Sequence, residues 1–263
     1  MKLFFIFFFL CLYIIMNIYD KNDFKNNYNI INKKNNDSLI INLYQSSNHI
    51  YVNSSKDYWE KRYSKGGNSG SGSYNNLALF KASIINNFVT KNNIKTVMEW
   101  GCGDCNQLSL INYTNYIGYD ISKSAIEICQ KKFNNDKSKT FMPLDDNFVN
   151  DKKVDLSISL DVLYHILEDN VFNSYMHNLF ISSNKYVCIY STNVDRPQIQ
   201  HIRHRKFTDW IDKFISKEWK LKEYIPNKYY TKYKNQDSIS SADFYFYEKI
   251  ECKIKFFNKC LFL

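Results

Sequence analysis

The feature that most constrains the fold of this chain is a glycine turn between a short apolar strand and a helical region. Thr96–Trp100 has the composition of a strand and runs directly into GCGDCN over residues 101–106. Two glycines spaced by one residue after a strand let the backbone approach a ligand closely, as in nucleotide-binding turns. A second strand, Tyr116–Asp120, ends in an acid suited to receive two ribose hydroxyls. The sequence therefore predicts a nucleotide site where these two strands end.

Strands and helices alternate along most of the chain. Apolar residues at helical spacing over 77–88 precede the first strand, and further helices are predicted over 124–133, through 172–179 and over 207–215. The predicted later strands are 140–144, 154–162, 185–191, 219–225 and 242–249. This alternation favours an α/β fold with a parallel, doubly wound sheet.

Composition excludes several other classes. With 44% hydrophobic and 17% aromatic residues the chain can bury a sizeable core, and with Gly 7 and Pro 3 it is neither collagen-like nor Pro/Gly-rich and disordered. The formal net charge is +9. Asn, Lys, Ile, Tyr and Phe are all abundant, and all five have AT-rich codons. A genome rich in A and T would therefore raise the number of lysines without selection for a nucleic-acid partner, so the net charge alone does not indicate one.

The cysteines do not form a recognisable framework. There are seven, an odd number, and they are scattered, which is not typical of a secreted disulfide scaffold. Cys102 and Cys105 form a C-x-x-C, but no second pair with metal-ligand spacing accompanies it, so no structural zinc site is predicted.

The chain divides into a hydrophobic anchor or signal segment, an Asn/Lys-rich tether, a main domain and a basic-apolar tail, over residues 1–19, 20–53, 54–250 and 251–263. The first of these segments contains an unbroken apolar run over 3–16. No small-residue cleavage site follows this run, which favours an uncleaved membrane anchor over a signal peptide. Lysines concentrate after the run, which predicts that the main domain faces the cytoplasm. The tail is interpreted as a further strand or a membrane-facing segment.

One Gly/Ser-rich stretch, KGGNSGSGS over 65–73, interrupts the start of the domain. Such a stretch is a flexible linker or a mobile loop over a ligand site, and both interpretations stay open. The aromatic, charged segment before it, over 58–63, is not typical of a linker.

The glycine turn resembles the first motif of class I S-adenosylmethionine-dependent methyltransferases, [D/E]-x-G-x-G-x-G. Glu99 supplies the acid, Gly101 and Gly103 the first two glycines, and Cys105 stands where the family has its third. VDLSISLD over 154–161 resembles the fourth motif, and the last strands resemble the family's final antiparallel pair. The resemblance covers roughly residues 55–250 and implies a Rossmann-like, mostly parallel seven-stranded sheet with an antiparallel last strand.

The resemblance also implies the cofactor, S-adenosylmethionine, and the residues that hold it. The expected cofactor site comprises Glu99, Gly101, Gly103 and Asp120, with Asp145 near the adenine amine. Trp59 and Arg62 are expected to close on the methionine end, where Arg62 would pair with the carboxylate. The alternative for Arg62 is a solvated position on an amphipathic helix.

Methyl transfer to a hydroxyl benefits from a general base. Asp161 ends the fourth strand and His165 lies one helical turn beyond it, while His201 and His204 follow the fifth strand, so these four are the candidate catalytic residues. Arg203 and Arg205 are candidates for holding an anionic acceptor, and the alternative is a solvated basic loop. No metal is predicted at His201 and His204, since the neighbourhood lacks further ligands.

Three runs, over 58–82, 159–169 and 201–211, resemble a bacterial-type methyltransferase subgroup associated with surface-polysaccharide gene sets. That resemblance implies O-methylation of a sugar or glycan intermediate near a membrane, with a small-molecule or glycan acceptor. One alternative is an RNA methyltransferase, which the positive charge would suit. Another is a degenerate fold that binds a partner, with Cys105 blocking the cofactor.

Overall fold

The structure, a computed structural model, describes residues 54–144, 152–229 and 240–251. The predicted anchor over 1–19, the tether over 20–53, Asp145 and residues 252–263 of the tail lie outside the described residues. Across the described ranges, no helix combines the length and the apolar character that crossing a membrane requires.

Five helices and seven strands form the described part of the chain. The helices are α1 (Ser55–Ser64), α2 (Asn75–Lys91), α3 (Lys123–Lys132), α4 (Asp169–Ile181) and α5 (Phe207–Phe214). The strands are β1 (Thr96–Trp100), β2 (Asn115–Asp120), β3 (Lys139–Pro143), β4 (Val154–Leu160), β5 (Ser183–Ser191), β6 (Trp219–Ile225) and β7 (Asp243–Lys249). Short 3₁₀ turns occupy Ser71–Ser73, Leu108–Leu110 and Leu163–His165.

The strands form one sheet in the order β3-β2-β1-β4-β5-β7-β6. The first five pair in parallel, and β7 runs antiparallel between β5 and β6. This confirms the predicted mostly parallel, seven-stranded sheet with an antiparallel last strand. The strand order reverses between β1 and β4, and open parallel sheets bind ligands at the carboxyl ends of strands beside such a reversal.

Alternating residues of the central strands fill two apolar layers. On one face Val97 and Ile158 pack with Ile85 and Phe88 of α2. On the other face Met98 packs with α4 and α5 in a second cluster that includes Met176, Leu179, Phe207 and Ile211. Because the central strands β1 and β4 are buried on both faces, the middle of the sheet is a rigid platform for the loops at its carboxyl edge.

The structure corrects the predicted end of β4. The apolar pattern predicts a strand through residue 162, but β4 ends at Leu160 because Asp161 has a φ of 61°. A non-glycine residue rarely adopts this left-handed conformation, and it turns the chain out of the sheet. The segment Asp161–His165 therefore lies at the carboxyl edge as a loop and a 3₁₀ turn.

Candidate functional site

The glycine turn after β1 has the geometry that its sequence predicts. Gly101 and Gly103 have φ values of 83° and 56°, a region that side chains rarely adopt. A Cβ on Gly101 would lie 2.5 Å from Val162 Cγ2, and one on Gly103 would lie 2.3 Å from Ser69 Oγ. Both positions therefore need glycine, for backbone conformation and for close approach.

Asp120 at the end of β2 is held by the backbone of this turn. Its Oδ2 accepts from the Gly103 N–H at 2.8 Å and its Oδ1 from the Ser122 N–H at 2.9 Å. The residue is 6% exposed, and burial raises the pKa of its carboxyl to about 6. Asp120 lines the pocket described below.

Glu99 lies deeper beside it. The Tyr116 hydroxyl donates to Glu99 Oε2 at 2.6 Å, and burial raises the pKa of the carboxyl to about 7, an effect that the nearby Lys81 ammonium opposes. Glu99 also lines the pocket. Glu99, the acidic residue of the motif, therefore borders the pocket in which a ligand is expected.

Cys105, in the place of the third glycine, does not block that space. It has a φ of 57°, so it keeps the left-handed backbone of a glycine, and its buried side chain points to Cys129 of α3. The two sulfurs form a disulfide, which the scattered cysteine spacing did not predict. Cys105 is absent from the pocket lining within the described residues, which removes the basis for a blocked cofactor site.

A pocket with an empty volume of about 930 Å³ opens at the carboxyl ends of β1, β2 and β4. Its base is formed by the glycine turn with Glu99 and Asp120, and its far wall by Asp161, Val162 and His165. α1 and the segment after it form the roof through Trp59, Tyr63 and Ser69. A concave, mostly apolar pocket with a few convergent polar groups is the usual form of a small-molecule site.

The Gly/Ser-rich segment 65–73 lies over this pocket and is called the lid below. Asp104 of the glycine turn accepts from the Ser69 N–H at 2.9 Å, and its own N–H donates to Ser69 Oγ at 3.0 Å. The Asn106 side-chain amide donates to the Ser73 carbonyl at 2.7 Å. Of the two open interpretations, the structure therefore favours the loop over a ligand site rather than a linker.

α1 is fixed at its amino end and near its middle. Ser55 donates to Glu168 through both its N–H and its hydroxyl, at 2.9 and 2.8 Å. Glu60 accepts from the hydroxyls of Ser122 and Ser124 at 2.8 and 2.5 Å. The second contact adds a carboxylate at the amino end of α3, where the helix dipole favours negative charge.

The structure brings Trp59 into the pocket and leaves Arg62 outside its lining. Arg62 donates from Nε to the Asn68 carbonyl at 2.6 Å and lies over the Trp59 ring at 5.7 Å. The expected pairing of Arg62 with a cofactor carboxylate is therefore not supported. Arg62 supports the lid instead, because its guanidinium meets the lid backbone before it can reach the pocket.

Asp161 lines the pocket, but its carboxylate is not free to act as a base. Oδ2 accepts from the Lys81 ammonium at 2.6 Å and Oδ1 from the Tyr164 hydroxyl at 2.7 Å. Each of the two carboxylate oxygens therefore already accepts a hydrogen bond from a side chain of the protein. The prediction of Asp161 as a catalytic residue is therefore corrected to a structural position in the pocket wall.

Of the three candidate histidines, His165 alone lines the pocket. Its Nδ1 lies 3.3 Å from the His201 carbonyl oxygen, and its ring packs edge-on to Trp59 at 4.9 Å. Burial lowers the pKa of His165 to about 4, so the ring is neutral at pH 7.

His201 and His204 are placed differently from the prediction. His201 stacks between Tyr58 at 4.1 Å and His165 at 5.2 Å, at the rim rather than in the pocket lining. His204 lies in a separate open groove, and its Nδ1 is 2.7 Å from the Thr192 hydroxyl. His204 is therefore too far from the pocket lining to serve as the base there.

Arg203 and Arg205 bind the protein rather than presenting free guanidinium groups. Arg203 donates to the Leu167 carbonyl at 2.7 Å, and Arg205 donates to the Ile166 and Leu167 carbonyls at 2.5 and 2.8 Å. Both pair with Asp169 at about 3 Å. The prediction that they hold an anionic acceptor is corrected, since these contacts fasten the loop before α4.

Sequence reasoning missed Lys81, whose side chain is fully buried behind the pocket. A signal was present, because Lys81 follows Leu77 by four residues and precedes Ile85 by four, on the apolar face of α2. It also missed Ser69, Asp104 and Glu60, whose roles depend on contacts between segments distant in sequence.

Comparison with known proteins is consistent with this site. Residues 98–181 match the family described as "Methyltransferase domain". No curated protein matches the chain.

Solved structures share the fold at low identity. One is magnesium protoporphyrin IX methyltransferase from Synechocystis PCC 6803 with bound S-adenosylhomocysteine, with 14% identity, 74% of this chain and 98% of that chain covered, and a TM-score of 0.54. Another is the N-methyltransferase NodS from Bradyrhizobium japonicum WM9, also with S-adenosylhomocysteine, with 10% identity, coverage of 75% and 100%, and a TM-score of 0.56. A third is the methyltransferase domain of bacterial CtHen1-C, with 17% identity, coverage of 66% and 98%, and a TM-score of 0.52.

The residues present fit S-adenosylmethionine. The glycine turn needs the absence of Cβ atoms, Asp120 is a buried acceptor at the pocket base, and the pocket is closed by a docked lid. Together with the family match over β1 to α4, these features identify the chain as an S-adenosylmethionine-dependent methyltransferase with the class I fold.

Proposed function

We propose that this enzyme transfers the methyl group to a hydroxyl of a sugar or glycan intermediate, near a membrane, with His165 as the general base. The observation that carries the proposal is the orientation of His165. The His201 carbonyl can only accept a hydrogen bond, so the His165 Nδ1 beside it carries the proton and Nε2 keeps its lone pair. A neutral imidazole with a free Nε2 in the pocket wall is the form that can take a hydroxyl proton.

The rim of the pocket supports a ring-shaped acceptor. Trp59 lines the pocket, and Tyr58 and His201 stack beside it with their ring centroids 4.1 Å apart. Where the Trp59 ring borders the pocket, it offers apolar contact to the C–H groups of a sugar while leaving the sugar hydroxyls free for polar partners. The apolar run over 3–16 supports the membrane part of the proposal.

In the proposed reaction, Asp120 and Glu99 hold the cofactor at the base of the pocket and His165 holds the acceptor hydroxyl. When bound, S-adenosylmethionine supplies a methyl group on a positively charged sulfur. His165 Nε2 would take the proton that the acceptor hydroxyl loses when its oxygen replaces the sulfur as the partner of the methyl carbon. The chain contributes mainly by alignment, which lowers the barrier of a two-substrate reaction by several kcal/mol.

The test is methyl transfer by the full-length chain to a panel of sugar nucleotides, with RNA oligonucleotides in parallel. We expect a sugar hydroxyl to be methylated, and His165→Gln to lower turnover by about 100-fold or more while leaving the cofactor dissociation constant within about twofold. His177→Gln is the matched control, since His177 packs on Trp210 of α5, outside the pocket lining.

Two outcomes would overturn the proposal. Methylation of RNA without methylation of any sugar would reject the acceptor class. Full turnover in His165→Gln would reject the base. The membrane part fails if the full-length chain does not sediment with membranes more than the chain lacking residues 1–19.

A further inference from the structure

The wall of the pocket contains a buried ion pair that the proposed chemistry does not use. The Lys81 side chain is 0% exposed, and its Nζ donates to Asp161 Oδ2 at 2.6 Å. The same ammonium lies over the ring of Tyr190 at 5.3 Å. A fully buried ammonium is costly unless its partners are well placed, so such a lysine calls for an explanation.

Asp161, its partner, has a strained backbone. Its φ of 61° lies in the left-handed region, which aspartate adopts more readily than most residues other than glycine, but still at a cost on the order of 1 kcal/mol. Two side chains hold it there, since Lys81 occupies one carboxylate oxygen and the Tyr164 hydroxyl donates to the other at 2.7 Å. The backbone N–H of Asp161 donates to the Tyr190 carbonyl at 2.9 Å.

The strained residue begins the turn that carries His165. Asp161 leads into the 3₁₀ turn Leu163–His165, and the His165 N–H donates to the Val162 carbonyl at 2.8 Å. The hydrogen bond from the Tyr164 hydroxyl to Asp161 Oδ1 joins the middle of this turn to the residue at which it leaves the strand. The direction of the His165 ring therefore depends on the backbone conformation of Asp161.

The same pair also touches the lid. Gly72 lies so close that a Cβ there would be 2.9 Å from Asp161 Oδ2. Lys81 belongs to α2, which begins directly after the lid. The lid, the lysine and the turn that carries His165 therefore meet at one carboxylate.

We propose that Lys81 is a positioning residue whose ammonium, through Asp161, holds the turn that orients His165 in the pocket. The inference rests on the proposed function for the importance of His165, but the position of the His165 ring can be measured without an acceptor. Lys81 touches neither the acceptor nor the cofactor in this account.

The test is an NMR titration of the histidine rings in the full-length chain, with Lys81→Met compared with wild type. The groups facing His165 are Asp161 on its own segment, Arg62 of α1 and His201 of the opposite loop. Loss of the ammonium leaves the Asp161 charge uncompensated, so the pKa of His165 should rise from about 4 by on the order of one unit. The His165 ring resonances should also shift, because the turn is released.

A neutral double variant separates charge from position. In Lys81→Met with Asp161→Asn, the pKa of His165 should return toward the wild-type value, while its ring resonances stay displaced. The double variant also lacks the unpaired buried charge, so it remains informative if Lys81→Met alone does not fold. Lys91→Met, an exposed lysine on the same helix, is the matched control and should change neither quantity.

Unchanged His165 ring resonances in a folded Lys81→Met or in the folded double variant would overturn the inference. That result would leave the proposed function intact, since His165 would still be in place. Conversely, a displaced His165 ring with no loss of sugar methylation in His165→Gln would retain the inference about Lys81 and reject the base.

Discussion

At the scale of single residues, Asp120 shows how the pocket prepares an acceptor. Two backbone N–H groups, from Gly103 and Ser122, orient the carboxylate before any ligand arrives. Burial works against the ionised form and raises the pKa to about 6. The proposed role of Asp120, accepting hydrogen bonds from ribose hydroxyls, requires the ionised form.

Cofactor binding should therefore weaken in acid. Below pH 6 a growing fraction of Asp120 is protonated and must lose its proton on binding, so the dissociation constant should rise roughly tenfold per pH unit. Calorimetric titration of the full-length chain with S-adenosylhomocysteine between pH 5 and 8 measures this directly.

Asp120→Asn is the comparison for this prediction. It should bind more weakly at pH 8 and lose the pH dependence centred near 6, leaving any contribution of Glu99, whose pKa of about 7 lies higher. Equal pH dependence in both proteins would show that another group controls binding.

The sequence predicted the residues of the site that follow from backbone geometry. Glu99, Gly101, Gly103 and Asp120 lie at the ends of two adjacent strands, so local pattern is enough to bring them together. The partner of Cys105 was not predictable, since Cys129 follows it by 24 residues and lies on another element. Nor was the ion pair of Lys81, which depends on how α2 packs against β4.

At the scale of elements, α1 and the lid belong to the site as much as the sheet does. Their contacts reach the amino end of α3 through Glu60, the loop before α4 through Ser55, and the glycine turn through Ser69. The family match begins at residue 98, after these elements. The positions of α1 and the lid depend on polar contacts between segments that are distant in the sequence. The spacing of apolar residues predicts helices and strands but not such contacts.

The disulfide joins two further elements, the glycine turn and α3. It closes a loop with a sequence separation of 24 residues, for which loop-closure entropy predicts a stabilisation of about 3 kcal/mol. Urea unfolding of the wild-type chain should therefore show a lower free energy of unfolding in dithiothreitol than without it.

Cys129→Ser is the control for the disulfide prediction. It should unfold at about the same urea concentration with and without dithiothreitol, since the only disulfide of the described residues has been removed. Wild-type curves that coincide under both conditions would contradict a contribution of this bond to stability.

The basic loop over 201–206 illustrates why some site predictions were wrong. Its charge was visible in the sequence, but its partners were not. Arg203 and Arg205 turn back onto Asp169 and onto carbonyls of the loop before α4. Guanidinium groups that already donate to carbonyls and carboxylates of the protein have few N–H donors available for an anionic ligand.

At the scale of the whole molecule, the topology follows from the order of elements more than from any single residue. A helix between two strands returns the chain to the starting end of the sheet, so strands that alternate with helices pair in parallel. The reversal of strand order between β1 and β4 then determines where the pocket lies. The sequence therefore predicted the sheet well. Boundaries such as the end of β4 were missed where a strained residue interrupts an apolar run.

We expect S-adenosylmethionine to bind between the glycine turn, Asp120, the lid and the turn that carries His165. Hydrogen–deuterium exchange of the full-length chain with and without S-adenosylhomocysteine tests it most directly. With the ligand bound we expect slower exchange in residues 55–73, 99–107, 120–122 and 161–166, and unchanged exchange in β6 and β7. Protection confined to the groove around Arg196 and His204, or absent from the glycine turn and the lid, would contradict it.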